Sequence, residues 1–552
     1  MSVEVGAMDP SLLDRECASQ YAREGWIPMR REQDRVLIGA SLPLSPADRA
    51  RVEGLVGGAI EVVEVPQWRI VHAVMAAFAA EIEHIAAEQL AETSPRRSAK
   101  HVLSRGQQVL GIVLLVLIAA GAIAAPAGAL TVLIAVASVI FLTSTLFKFV
   151  VSMVGSRYDQ VRRSTRAEYD ALDDDDLPIY TVLVPVFREE RVVGRLMRNL
   201  GRLDYPQHKL EVLVLTEEED IATREAIKRA APPDNFIIVT VPAGTPQTKP
   251  RACNVGLQLA RGELLVIFDA EDAPEPDQLK RTWLAFDRSS PDTVVMQAAL
   301  NYFNAAENVL TRMFSLEYSY WFDYMLTGLD ERRLPIPLGG TSNHFRTDAL
   351  RELGGWDPYN VTEDADLGIR ASALGYRVGV VDSTTMEEAT SRMGIFVGQR
   401  SRWIKGYMQT SLVHARHPLQ LVRSVGLRRA AAFALLIAGT PLTFLGVIPF
   451  TLLMVAGLVV PGVDVSSVMP PIVLWLCLMN FLIGNSLMVY LNMMGPYKRG
   501  LFTLVPWALL NPLYWLLHSA AAYKALWQLI TRPHYWQKTD HGLSDYDPDQ
   551  PA

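Results

Sequence analysis

Two acidic strings follow apolar runs: Glu217-Glu218-Glu219-Asp220 after LEVLVL, and Asp269-Ala270-Glu271-Asp272 after ELLVIF. Carboxylates packed this closely repel one another unless a cation or a donor-rich ligand sits among them. Hard oxygen ligands with coordination positions to spare suit Mg2+ or Mn2+ and leave room for phosphate oxygens. A nucleoside diphosphate follows as the ligand, with Lys249, between the strings in sequence, as a point charge for its phosphates. The bland alternatives are a solvated polar turn for each string and an ordinary surface lysine.

Something must bring the strings to one rim. IYTVLVP, LEVLVL, FIIVTV, ELLVIF and TVVMQA are five buried-strand candidates, and REERVVGRLMRNLGRL, IATREAIKRAA and PRACNVGLQLARG are the helical patterns between the first four. Such alternation predicts an α/β domain with a mostly parallel sheet and helices on both faces. Ligands in such sheets sit beyond the carboxyl ends of the strands, where both strings fall. GGTSNHF, from Gly339 to Phe345, offers paired glycines for close backbone approach, with a plain turn as its simpler role.

The chain has 552 residues, 52 Lys+Arg against 59 Asp+Glu, a net charge of -7 and 50% hydrophobic residues. That length exceeds a single core, so several domains are expected. No chain-wide positive field exists, which argues against nucleic acid as a partner, and the apolar content excludes general disorder. Cys17, Cys253 and Cys477 are too far apart in sequence for a disulfide scaffold or a zinc cluster.

The apolar content is concentrated in blocks. Gln107–Ala125, Ala129–Gly155, Ala430–Val460 and Met469–Leu491 are each long enough to cross a bilayer. Arg96, Arg97, Lys100 and Arg105 precede the first, Arg157, Arg162, Arg163 and Arg166 follow the second, Arg423, Arg428 and Arg429 precede the third, and Lys498 and Arg499 follow the fourth. The short turns on the other side hold no Lys or Arg, and one holds Asp464. Four spans with both termini and the middle region in the cytoplasm satisfy this pattern. A further apolar stretch, broken by Pro506 and Pro512, is expected to be re-entrant or to lie in the interface.

The order VPVFREE, FDAED, Thr362-Glu363-Asp364 and Gln399-Arg400-Ser401-Arg402-Trp403 resembles that of processive family-2 glycosyltransferases, the cellulose, hyaluronan, chitin and curdlan synthases. The resemblance spans about residues 177 to 540 and implies a GT-A fold with flanking membrane helices. It implies that Asp269 lies near ribose and metal, with Glu271 or its neighbour Asp272 as the second metal carboxylate. Glu218 would hold the nucleobase, Asp364 would be the general base, and Gln399, Arg402 and Trp403 would line the acceptor end and the diphosphate. Asp366, two residues beyond Asp364 in a predicted helix, would face elsewhere. RPHYWQKTDHG, with Trp536, Lys538, Thr539 and His541, resembles the tails of related transferases and is expected to gate the nucleotide or to anchor at the membrane surface. REGWIPMRREQDRVLIGASLPLSPADR resembles the amino-terminal domain of type II secretion ATPases, which implies a small α+β unit that docks a regulatory or secretion partner.

The expected organisation is a cytoplasmic docking domain (1–95), two spans (106–156), the transferase (177–410), an interfacial helix (411–429), two more spans (430–492), a re-entrant or interfacial segment (501–530) and a tail with a gating loop (531–552). The expected function is an inverting, Mg2+- or Mn2+-dependent transferase of the bacterial inner membrane that moves sugar from a UDP-sugar to a growing exopolysaccharide. The alternatives are single transfer to a lipid carrier, and a catalytically impaired membrane docking protein.

Overall fold

In the computed structural model the described residues are 9–32, 34–157, 165–460, 469–536, 538, 542 and 544. The turn around Asp464 and the residues Thr539 and His541 lie outside them. The chain forms two compact units, one of residues 1–93, 170–270 and 344–358, the other of residues 94–169, 271–343 and 359–552. The division falls inside the Asp269–Asp272 string, between Ala270 and Glu271.

Eleven strands occur among the described residues: β1 Trp26–Glu32, β2 Arg35–Ala40, β3 Ala59–Glu64, β4 Tyr180–Val186, β5 Leu210–Glu217, β6 Phe236–Val241, β7 Leu264–Ile267, β8 Ala273–Pro274, β9 Thr293–Tyr302, β10 Asn343–Arg346 and β11 Arg377–Glu387. The five apolar runs singled out above are β4, β5, β6, β7 and β9.

In the first unit β6, β5, β4 and β7 are parallel in that order, and β10 lies antiparallel on β7, with Phe345 opposite Leu265. β4 and β5 are buried almost residue by residue, as strands covered on both faces must be. The amino-terminal region adds a small sheet, β1 antiparallel and β3 parallel to β2. Its helix Pro46–Val56 starts where Ser45 Oγ accepts the Asp48 N–H at 3.1 Å, and ends on Gly57 in the left-handed region.

In the second unit β9 and β11 run parallel with two register shifts, and β8 is antiparallel to β11. The sheet is therefore mixed, less parallel than the sequence suggested, because β8 and β10 are too short to show a period of their own.

Among the described residues, five helices are long and apolar enough to cross a membrane: Gln67–Thr93, Arg105–Ala124, Pro126–Gly155, Leu427–Gly457 and Pro471–Lys498. The last four fall on the four expected blocks. Arg105–Ala124 has no buried residue, and Ser104 with Gln107 forms a capping box at its start. Gln67–Thr93 instead belongs to the first unit and buries Ile70, Val74, Ile82, Ala86 and Leu90. The stretch with Pro506 and Pro512 forms a 3-10 turn, Phe502–Leu510, then a helix, Asn511–Thr531, whose Ala521, Ala522 and Ala525 pack on Ile404 and Met408.

Candidate functional site

The first unit gathers the donor-side candidates. β5 ends at Glu217, which is buried and takes Arg251 Nη2 at 2.7 Å. Burial pushes the Glu217 carboxyl up, and the guanidinium opposes that. Asp220 caps the helix Ile221–Ala230 through Thr223 N–H and accepts the Arg188 N–H of VPVFREE. Two of the four acids in this string are therefore structural, and Glu218 and Glu219 are the exposed pair. Glu218 Oε2 accepts the Ala243 N–H at 3.1 Å, and Glu219 accepts from Gln247 at 3.3 Å.

Lys249 opens the helix Lys249–Leu259, and its ammonium contacts Asp269 Oδ1 just past β7. Their side chains are 18% and 27% exposed, so the pair stays open to a ligand. Arg251, two residues on, is fully buried and is a structural cation. His344, the histidine of GGTSNHF, is a core residue. It is buried, its Nδ1 lies 2.7 Å from Tyr180 Oη, and burial lowers it to about 3, so the imidazole is neutral.

The second unit holds the remaining candidates. Glu271 is half-buried. Asp272 is fully buried, and Thr341 Oγ1 donates to its Oδ2. Asp364 lies in the first turn of the helix Glu363–Ala373, half-buried, with Oδ1 accepting the Ala365 N–H at 2.7 Å. A Cβ placed on Gly340 would stand 3.4 Å from Asp364 Oδ2, so the second glycine of the GG pair keeps the backbone beside this carboxylate bare. Asp366 is fully buried between Arg370 at 3.1 Å and His414 Nε2 at 3.0 Å. Burial pushes its carboxyl up, and those two partners nonetheless hold it below its ordinary value.

The helix Met393–His414 presents the Q-x-x-R-W residues at successive turns. Gln399 Oε1 is buried with no hydrogen-bond partner among the described residues. Arg402 Nη1 donates to Val361 O at 3.4 Å, and its guanidinium lies 4.5 Å from the Trp536 ring. Trp403 is partly buried against Phe314 and Tyr318, with the Arg400 guanidinium 4.5 Å from its ring. Arg400 is held bidentately by Glu317 at 2.7 and 2.6 Å.

Some neighbours escaped the sequence reading. Lys405 Nζ donates to Tyr535 O at 2.7 Å, Gln409 Nε2 to Pro533 O at 3.1 Å, and His534 Nδ1 lies 2.9 Å from Tyr359 O. These contacts fasten the segment before Trp536. Their partners are backbone carbonyls, which no residue type announces.

Among the described residues no group of three or more His, Cys, Asp or Glu side chains stands close enough to hold a metal ion. The donor chemistry still fits Mg2+ or Mn2+. Mg2+ is bound by one or two carboxylates, with waters and substrate phosphates filling its shell. The Asp269 side chain is 27% exposed and Glu271 half-buried, whereas Asp272 is fully buried with one oxygen engaged by Thr341.

Residues 178–406 match the family described as "Glycosyltransferase like family 2". A probable glycosyltransferase, YdaM, of Bacillus subtilis is 27% identical over 235 residues, 42% of this chain and 56% of the relative. Glucomannan 4-beta-mannosyltransferase 1 of Oryza sativa subsp. japonica is 28% identical over 293 residues, 50% of this chain and 56% of the relative. The chain thus spans about half the length of the curated relatives it matches. Among solved structures, mannosyltransferase PcManGT from Pyrobaculum calidifontis, in complex with GDP-Man and Mn2+, is similar at 18% identity and a TM-score of 0.39, covering 71% of this chain and 99% of that one. Residues 178–406 thus form a glycosyltransferase domain like those of family 2.

Proposed function

We propose that the chain is a multi-pass membrane glycosyltransferase that moves a sugar, with inversion, from a UDP-sugar to a growing exopolysaccharide. The observation that carries this reading is the open Lys249–Asp269 pair just past β7 in a domain like those of family 2. An ammonium already set against a carboxylate is positioned to meet a diphosphate when a divalent ion takes over that carboxylate. Asp269, with Glu271 two residues along the chain, would hold Mg2+ or Mn2+, which neutralises charge on the departing diphosphate. Glu218 would hold the nucleobase.

Asp364 is the general base. It takes the proton from the acceptor hydroxyl as that oxygen bonds to the anomeric carbon and the bond from that carbon to the diphosphate oxygen breaks. Asp366 is excluded from that task by its burial between Arg370 and His414. Arg402 stabilises charge on the leaving diphosphate, Gln399 supplies a hydrogen-bond acceptor and Trp403 an apolar face for a sugar ring. The segment with Trp536 and Lys538 closes over the nucleotide. The four long apolar helices hold the chain in the bacterial inner membrane with the transferase domain and both termini cytoplasmic, as the Lys and Arg placement favours. The rice relative's name supports a β-linked glycan product.

The test is turnover by the purified full chain with Mn2+ and UDP-glucose, UDP-N-acetylglucosamine, UDP-galactose or GDP-mannose, reading nucleotide release and product length. Release with one UDP-sugar and a polymeric product are expected. A single added sugar would point to a lipid-carrier transferase. No release with any donor, or undiminished release by Asp364→Asn, would overturn the assignment.

A further inference from the structure

The amino-terminal domain is packed on the helix that carries Lys249. The buried face of Gln67–Thr93 (Ile82, Ala86, Leu90) lies along the helix Lys249–Leu259. Asn254 Nδ2 donates to Ala86 O at 2.9 Å and to Trp356 O at 2.8 Å, and Asn254 Oδ1 accepts the Trp356 N–H at 2.9 Å. One turn earlier stands Arg251. Its Nη2 meets Glu217 at 2.7 Å, and its Nη1 donates to Pro242 O at 2.8 Å and lies 3.5 Å from Glu83 Oε1. Glu83 belongs to the amino-terminal domain, and its carboxylate presses on Gly244 so closely that a Cβ there would overlap it.

A guanidinium keeps its charge when buried, and a buried charge must keep its partners. Arg251 therefore fixes Pro242, and Glu83 fixes both Arg251 and Gly244. Residues 242–248 between them form the loop that contacts Glu218 through the Ala243 N–H, contacts Glu219 through Gln247, and delivers Lys249 to Asp269. Glycine at 244 is the residue that lets the carboxylate approach the backbone.

We propose that Glu83 is a positioning residue: through Arg251 and Gly244 the amino-terminal domain holds the loop 242–248 in its nucleoside-diphosphate-binding conformation. This rests on the reading of Lys249 as a diphosphate ligand. The amino-terminal domain then tunes donor affinity and leaves the chemical step alone, so any partner that shifts Gln67–Thr93 shifts donor affinity.

The experiment measures binding of UDP and of GDP, each with Mn2+, to the purified full chain, alongside thermal unfolding, donor KM and kcat. Glu83→Gln, which keeps the packing volume, and Gly244→Ala should each weaken UDP binding roughly tenfold. Both should raise donor KM with kcat little changed. Loss of UDP binding in Lys249→Ala, with Glu83→Gln and Gly244→Ala binding like the parent, would overturn the inference and spare the proposed function. No binding of either nucleotide by the parent chain would overturn both. Equal loss of kcat and affinity, tracking a lowered melting temperature, would reduce Glu83 to a stability residue and overturn the inference.

Discussion

The two units treat their acidic strings by one rule. In the first, Glu217 is buried against Arg251 while Glu218 is exposed. In the second, Asp272 is buried under Thr341 while Glu271 is half-open, and Asp366 is locked between Arg370 and His414 while Asp364 lies beside bare backbone at Gly340. Each string thus splits into a buried acid that holds the fold and a more open neighbour. They differ in what faces the more open acid: Asp269 has a lysine on it, whereas Asp364 has a backbone N–H and a bare glycine beside it.

The largest effect should come from Asp364→Asn, which lowers kcat about 10²–10⁴-fold with UDP binding and melting temperature unchanged. Turnover and binding on the same preparation check it, and an unchanged kcat would break the division between the two acids. Asp366→Ala should do the reverse, costing about 3–5 kcal/mol of stability because Arg370 is left buried and unopposed. Chemical denaturation reads that loss. Lys249→Ala should weaken UDP binding roughly 10–100-fold, the worth of a charge-assisted contact, with less effect on melting.

The first unit should also be acid-sensitive. His344 takes up a proton near pH 6.5 when unfolded and near 3 when folded. Between those values the unfolded state binds more protons, so stability present above pH 6.5 falls as pH drops toward 3. His344→Gln should flatten that slope in pH-dependent melting. The smallest effect belongs to the second unit's tail. Trp536→Ala removes the ring under Arg402 and should raise donor KM about two- to fivefold.

Much of the fold was legible. Five buried strands announced themselves as apolar runs ending in acids, and four long apolar blocks coincide with long helices. β8, β10 and β11 were missed, the first two because they span two and four residues and carry no period. Within the site, the types Asp, Lys, Gln, Arg and Trp were readable from motif order. The burial of Arg251 and His344 was not, because their partners lie far away in sequence: Glu83 and Tyr180.

By itself the sequence determined which segments are apolar, where they end and which chemistry-bearing residues cluster there, because those are local properties of composition and spacing. The tertiary structure alone decided which acid of each string is buried and which stays open. That depends on which side chain turns inward to meet a partner from another segment, and inside a protein a charge keeps its form only where such a partner waits.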